Sequence, residues 1–317
     1  MITLSTALLL ACSLLVGACG ASQAGINSRL RLALHSPIQA AFISFLTGTL
    51  LLGVTALLMS SPWFAPGTPA TLPWWAWLGG LLGAFNVTMA VYLAPKLGAL
   101  TLALSIICGQ VLASVVLDHN GWLGYPRIEL SLERLLGAVL IVAGVLLVAR
   151  ANPLEAAAGS RHGALPNKSP GRYFLLACSI AVGCSLASQA GINAELRTAL
   201  SSPVQAAFFS FLLGTLALAL VTATTGRDWF RPGALAATPW WAWLGGFLGA
   251  FIVTMSVFLA PRLGALTLAI AIICGKVFAS LVLDQQGWLG YPRVPLTTPR
   301  AIGTVLMVLG VLLVAAN

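Results

Sequence analysis

Apolar residues run through this chain in continuous stretches of about 20 residues, separated by short polar breaks. That is the length at which a helix crosses the hydrocarbon of a bilayer. Strand-like alternation of apolar and polar positions is missing from these stretches. Backbone N–H and C=O groups in lipid must be satisfied within the protein, which leaves helices or a closed barrel, and unbroken apolar runs select helices. The pattern predicts spans over 3–27, 37–59, 73–94, 98–118 and 133–150, then 171–194, 203–223, 239–260, 264–284 and 299–316. The breaks carry turn chemistry. "HSP" and "SSP" precede the second and seventh spans, while "APKLG" and "APRLG" divide the third from the fourth and the eighth from the ninth.

The whole pattern occurs twice, at an offset of 166 residues and without a gap. "SQAGIN" at 22–27 returns at 188–193, and "PWWAWLGG" at 73–80 returns at 239–246. Between 73–127 and 239–293, 43 of 55 positions are identical. The chain therefore divides into a first five-helix repeat over 1–151, a hydrophilic linker over 152–170 and a second repeat over 171–317. Five is odd, so the second repeat enters the membrane from the opposite side. The expected fold is an all-α integral membrane protein, with ten transmembrane helices arranged as two inverted five-helix repeats about an axis in the membrane plane.

Composition agrees. Only 7% of residues are charged, against roughly 25% in soluble domains, too few to clothe a soluble surface. The net charge of +9 does not point to nucleic acid, because the basic residues stand singly in short loops rather than in a stripe. They read instead as orientation signals. If the 1–2, 3–4, 7–8 and 9–10 loops share a face with the central linker, that face holds 11 Lys/Arg and the opposite face 4, with Lys276 left over. An excess of Lys/Arg marks the cytoplasm. Both termini are thus predicted outside, in a bacterial cytoplasmic membrane crossed many times.

"PWWAW" opens the third and the eighth span, as expected of aromatic belts at the two interfaces. The six cysteines lie in apolar helix sequence without C-x-x-C spacing and read as small buried hydrophobes. "LLVGAC", ending at Cys19, looks like a lipoprotein cleavage site. No basic segment precedes it, however, and it recurs in mid-chain as "ACSIAVGC", so it is expected to be helix.

Two long segments and their second-copy counterparts carry a family resemblance: "SQAGINSRLR…SPIQAAFISFLTGTL" and "APKLGALTLALSIICGQVLASVVLDHNGWLG". They resemble the YdcZ-like branch of the drug/metabolite transporter superfamily, over nearly the whole chain apart from the linker. The resemblance implies a ten-helix transporter fold built from two inverted units, and transport of an unspecified substrate. At Lys276 the chain departs from the family pattern, which has glutamine there, as the first copy does at Gln110.

That lysine is the main chemical signal. In a span over 264–284 it lies about 3 Å from the midplane and about 12 Å from the cytoplasmic end, beyond easy snorkelling. A cation at that depth costs at least about 2.5–3.5 kcal/mol on insertion scales, so it needs a hydrated cavity, helix-break carbonyls or a bound anion. Gln23 and Asn27 share one face of the first helix, and Gln189 and Asn193 repeat the arrangement on the sixth. These amides either bond helices together or face substrate. Asp118 and Asp284 end the fourth and ninth helices, where a carboxylate opposes the helix dipole. They therefore have a partner such as a backbone turn or an arginine, or they act as a gate.

The reading that results is a secondary transporter of a small metabolite working by alternating access. Substrate would sit near the midplane, with Lys276 attracting an anionic group and Gln110 adding hydrogen bonds from the twin position. Gln23, Asn27, Gln189 and Asn193 would line the approaches. The alternative is a non-transporting membrane assembly or scaffold protein. An enzyme is not expected, since His35, His119 and His162 fall in loops or near helix ends and no paired-acid motif occurs. No metal or cofactor is called for.

Topology is directly testable. Alkaline phosphatase fused after Asn317 should be active and a fluorescent reporter within 152–169 should fluoresce. A cytoplasmic C-terminus would refute the orientation.

Overall fold

The structure is a computed structural model of the chain and describes residues 4–59, 72–97, 99–151, 170–224, 238–290 and 293–316. The described residues form nine α-helices: α1 (Leu4–Leu34), α2 (Pro37–Leu58), α3 (Gly79–Leu97), α4 (Ala99–Asn120), α5 (Leu132–Arg150), α6 (Pro170–Leu200), α7 (Pro203–Thr224), α8 (Gly245–Gln286) and α9 (Thr298–Ala315). Short 3-10 turns, Trp74–Trp77 and Trp240–Leu244, lead into α3 and α8. Eight candidate spans are long and apolar enough to cross a membrane, and Gly79–Ala90 is a shorter apolar one. Among the described residues there is no strand. Of the expected linker, 152–169 lie outside the described residues.

α8 joins two arms at Gly264, whose φ of 77° and ψ of 169° no helix contains. Pro261 lies just before the break and has no N–H to donate. The arms match the spans expected over 239–260 and 264–284, so the "APRLG" signal marks the break between two helical arms. Trp74, Trp122, Trp240 and Trp288 are all exposed.

α1 and α6 extend six or seven residues beyond the expected ends at 27 and 194. The polar residues of "NSRLRLAL" and "NAELRTAL" end the apolar run without ending the helix, because Leu30, Leu34, Leu196 and Leu200 still bury one face. Termination comes at His35 (φ 51°) and Ser201 (φ 55°). The next residue then caps the following helix: Ser36 Oγ accepts from the Gln39 N–H, and Ser202 Oγ from the Gln205 N–H, each at 3.3 Å.

Packing joins the two copies rather than separating them. Twin helices α2 and α7 cross with Thr49 Oγ1 2.9 Å from its own twin, Thr215 Oγ1, and with Phe45 stacked on its twin Phe211 at 5.0 Å. Gly53 meets Phe208 whereas Phe45 meets Gly214, so contacts climb one helix as they descend the other: the twins run antiparallel. α5 and α9 do the same, with Gly137 against Gly310 and Val314, and Gly144 against Gly303 and Met307. α1 packs on the second arm of α8, and in the twin contact α6 packs on α4. A main core of buried residues, including Val16, Val111, Ile141, Leu266, Ile270 and Met307, draws on both copies.

The α1–α8 contact is a backbone contact. A Cβ on Gly275 would lie 2.0 Å from the Leu14 carbonyl oxygen, and one on Gly17 2.2 Å from that of Ile272. A Cβ on Gly20 would instead meet the Lys276 Cε at 2.9 Å, a flexible end that can move. Gly275→Ala should therefore destabilise the detergent-solubilised protein by about 1–3 kcal/mol, whereas Gly20→Ala leaves the melting temperature close to the parent's. Equal melting shifts for the two variants would refute this packing.

Candidate functional site

A cavity of about 490 Å³ lies between α1, α2, α3, α6, α7 and α8. Its polar lining includes Gln23, Asn27, Arg31, Ser44, Asn86 and Gln189. A second cavity of about 130 Å³ is lined by Gln110, Tyr125, Gln189, Asn193, Ser256 and Lys276, among others. The two cavities meet at Leu186, Gln189, Ile252 and Val253. The larger cavity lies across the repeat, since twin residues of both copies line it together, among them Gln23 with Gln189, Ser44 with Ser210 and Asn86 with Ile252. The smaller one opens beside it and is lined mostly by the second copy.

Lys276 and Gln110 both border the smaller cavity, so the twin positions converge. The lysine stem runs past Gly20 of α1, where the absence of a side chain leaves it room. Lys276 is exposed, while Gln110 is half-buried. Among the described residues Lys276 makes no ion pair. The other residues lining that cavity are neutral. In the larger cavity the one charged lining residue among those described is Arg31, which is also basic. Each cavity thus has one basic residue in its lining and, among the described residues, no acidic one.

The amides on α1 and α6 lie in the cavity walls and also contact the neighbouring helices. Gln23 Nε2 donates to the Gly245 carbonyl at 3.0 Å. Asn27 packs its Oδ1 over Gly245, as Asn193 does over Gly79. A Cβ on Gly245 or Gly79 would fall 2.2 Å or 1.8 Å from those oxygens, so the amides would have to shift if either glycine carried a side chain. Both Oδ1 atoms are buried and have no hydrogen-bond partner among the described residues. A buried acceptor left unsatisfied costs roughly 1–3 kcal/mol, which a donor on a bound molecule would recover.

Asp118 and Asp284 lie away from this convergence. Asp118 is buried and ion-paired with Arg134, and its carboxylate accepts the N–H groups of Ala265 at 2.5 Å and Leu266 at 3.1 Å. It thereby caps the second arm of α8 just past the Gly264 break, across the two copies. The backbone donors freed by the bend are satisfied by a carboxylate, as a low-dielectric setting requires. Asp284 pairs with Arg300, the twin of Arg134, at 2.5 Å. Each aspartate also fastens the turn that follows it, through Ile128 N–H to Asp118 O at 2.8 Å and Val294 N–H to Asp284 O at 2.9 Å.

Asn86 is a site residue that reading the sequence for helix-face polarity missed. It is buried, donates through Nδ2 to Gln189 Oε1 at 3.4 Å and accepts from the Ser185 hydroxyl. The signal that identifies it is the one that exposed Lys276. Both are twin positions at which the copies differ in polarity or charge, Asn86 against Ile252 and Gln110 against Lys276, although Thr47 against Leu213 and Ser105 against Ala271 differ too and line neither cavity. The partners Arg134 and Arg300 were hidden for another reason, since each lies at the start of the next helix, 16 residues on from its aspartate.

Comparison with known proteins agrees with the geometry. The family model described as "Putative inner membrane exporter, YdcZ" matches residues 8–147 and again residues 174–313. "Inner membrane protein YdcZ" of Escherichia coli (strain K12) is 30% identical over 100 residues, a match spanning 30% of this chain and 66% of that protein's length. A solved crystal structure aligns with a TM-score of 0.66 over 95% of this chain and 94% of its own, at 17% identity, a likeness of fold alone.

The Asp118 clasp yields a stability prediction. Asp118→Ala leaves Arg134 buried without its counter-charge and two N–H groups without an acceptor, so it should cost about 3–5 kcal/mol. Asp118→Ala/Arg134→Leu should recover part of that loss. A double-mutant cycle of chemical unfolding in detergent measures the coupling, and additive losses would refute the clasp.

Proposed function

This chain belongs to the YdcZ family of inner membrane exporters, and we propose that it is a secondary transporter carrying a small anionic metabolite by alternating access. The observation that carries the reading is the cavity of about 490 Å³ that twin residues of both copies line together, with a smaller one of about 130 Å³ at Lys276 that shares its Gln189, Ile252 and Val253. In an inverted repeat, one copy's open conformation is the other copy's closed one. Exchange of the two conformations would enlarge the space at Lys276 and shrink the space at Asn86, moving a bound molecule's access from one face to the other.

The ten-span, five-plus-five architecture belongs to this proposal. Its supports are the antiparallel α2/α7 and α5/α9 twins and the division of α8 at Gly264. The repeats would be 1–151 and 171–317, joined by the 152–170 linker on the cytoplasmic side with both termini outside. The larger cavity reaches Arg31, near the 1–2 turn, so in this orientation it opens to the cytoplasm and is the loading side for export.

Lys276 would hold the anionic group of the substrate, with Gln110 donating beside it. A charge-assisted contact of this kind contributes about 1.5–3 kcal/mol. Gln23, Asn27, Gln189 and Asn193 would line the path, and the unsatisfied Asn27 and Asn193 oxygens favour a substrate that also carries N–H or O–H donors. The Asp118 and Asp284 clasps would serve as gates, since each fastens a helix end to the turn that follows it.

The test pairs stability with transport. A panel of carboxylate- and phosphate-bearing metabolites, screened by thermal shift and then by flux in everted vesicles, identifies the substrate. Lys276→Gln should melt at the parent temperature or higher, since it removes a mid-membrane cation worth about 2.5–3.5 kcal/mol. It should also weaken binding of the anionic ligand about tenfold or more. Gln110→Lys should melt lower. Undiminished flux of the anion by Lys276→Gln would overturn the assignment.

A further inference from the structure

Two grooves on the outer surface, at opposite ends of the helix stack, are twins. One, of about 880 Å³, is lined by Ser22, Arg29, Trp241, Ala279, Val282 and Leu283, with Gly287, Trp288 and Leu289 at its end. The other, of about 630 Å³, is lined by Trp75, Ala113, Val116, Leu117, Trp122, Leu123 and Ser188 at the corresponding positions. In the first, α1 packs beside the 3-10 turns that carry Trp241 and Trp288; in the second, α6 packs beside the one that carries Trp75. Each groove therefore has an apolar helical floor, two indole rings and a polar rim.

The rims differ. Arg29 borders the first groove, is exposed, and makes no ion pair among the described residues. Its twin in the second copy is Glu195, whose Oε2 would lie 3.1 Å from a Cβ on Gly124, next to Leu123 of the second groove. Duplication has kept the apolar floor and the tryptophans while reversing the charge above them. Such a reversal has no use for packing, since neither side chain is part of the core. It does matter to a molecule that lies along the groove with its charged end at the rim.

From this we infer that the Arg29 groove is a binding site for an anionic phospholipid of the surrounding bilayer. The acyl chains lie over Ala279, Val282 and Leu283 between Trp241 and Trp288, and the headgroup phosphate pairs with the Arg29 guanidinium. A planar guanidinium matches a phosphate through two parallel N–H donors. Indole rings settle at the depth of the glycerol and carbonyl groups. The twin groove, with a carboxylate at its rim, repels the same headgroup, so the site is confined to one leaflet. This inference does not depend on the transported substrate.

Native mass spectrometry of the full chain, purified in detergent and titrated with phosphatidylglycerol or with phosphatidylcholine of equal chain length, tests it. Phosphatidylglycerol should remain bound to the parent, and Arg29→Gln should weaken its retention about fivefold, the worth of one basic residue facing an anionic headgroup. Phosphatidylcholine retention should be equal in both proteins. Glu195→Arg should add a second retained phosphatidylglycerol, a gain that does not depend on how Arg29→Gln folds. Equal phosphatidylglycerol retention by parent and Arg29→Gln, or no gain in Glu195→Arg, would overturn the inference. Displacement of the lipid by millimolar glycerol 3-phosphate would also overturn it, by making the site one for a free anion.

Discussion

Backbone contacts at glycine bind the two copies of this protein to each other, and the rest of the architecture follows from them. In lipid, helices gain nothing by hiding apolar side chains from one another, so association depends on how closely their backbones approach. Gly17 with Gly275 joins α1 to α8, Gly109 with Gly183 joins α4 to α6, and Gly137, Gly144, Gly303 and Gly310 join α5 to α9. Every one of these pairs links the first copy to the second. Neither copy can form its packing surface alone, and the space left between them, where glycine gives way to glutamine, asparagine and lysine, is the cavity.

The same constraint accounts for the bend in α8. A break within a membrane helix exposes N–H groups that water would otherwise satisfy. Asp118 supplies the acceptor from the other copy, and Arg134 neutralises the carboxylate so that it can remain buried. A polar cluster that looks costly in isolation thus makes the bend possible, and the bend sets the second arm of α8, with Lys276 on it, against the central cavity.

Function is carried where the copies differ. A duplicated chain with 43 identities in 55 positions supplies a nearly symmetric frame, and symmetric residues such as Thr49 and Thr215 serve it by meeting each other. A molecule passing through needs a site with its own sign and shape. Lys276 against Gln110, Asn86 against Ile252 and Arg29 against Glu195 break the symmetry in charge or polarity, and each borders a cavity, a groove or a groove's rim.

Read alone, the sequence determined the helical membrane character, the family, the duplication and the presence of an isolated mid-span lysine. Each of these follows from local composition or self-similarity along the chain. It marked helix ends less well at Leu34 and Leu200, because loss of hydrophobicity ends a span but not a helix. It left open whether Gln23 bonds helices or lines a cavity, and the tertiary structure has it do both. The link from Asp118 to the Ala265 and Leu266 N–H groups, the place of Asn86 and the difference between the two cavities were decided only in three dimensions. The reason is physical: all three depend on which helix of one copy lies against which helix of the other. That choice rests on glycine contacts between residues more than 70 positions apart in the chain, and no local pattern records it.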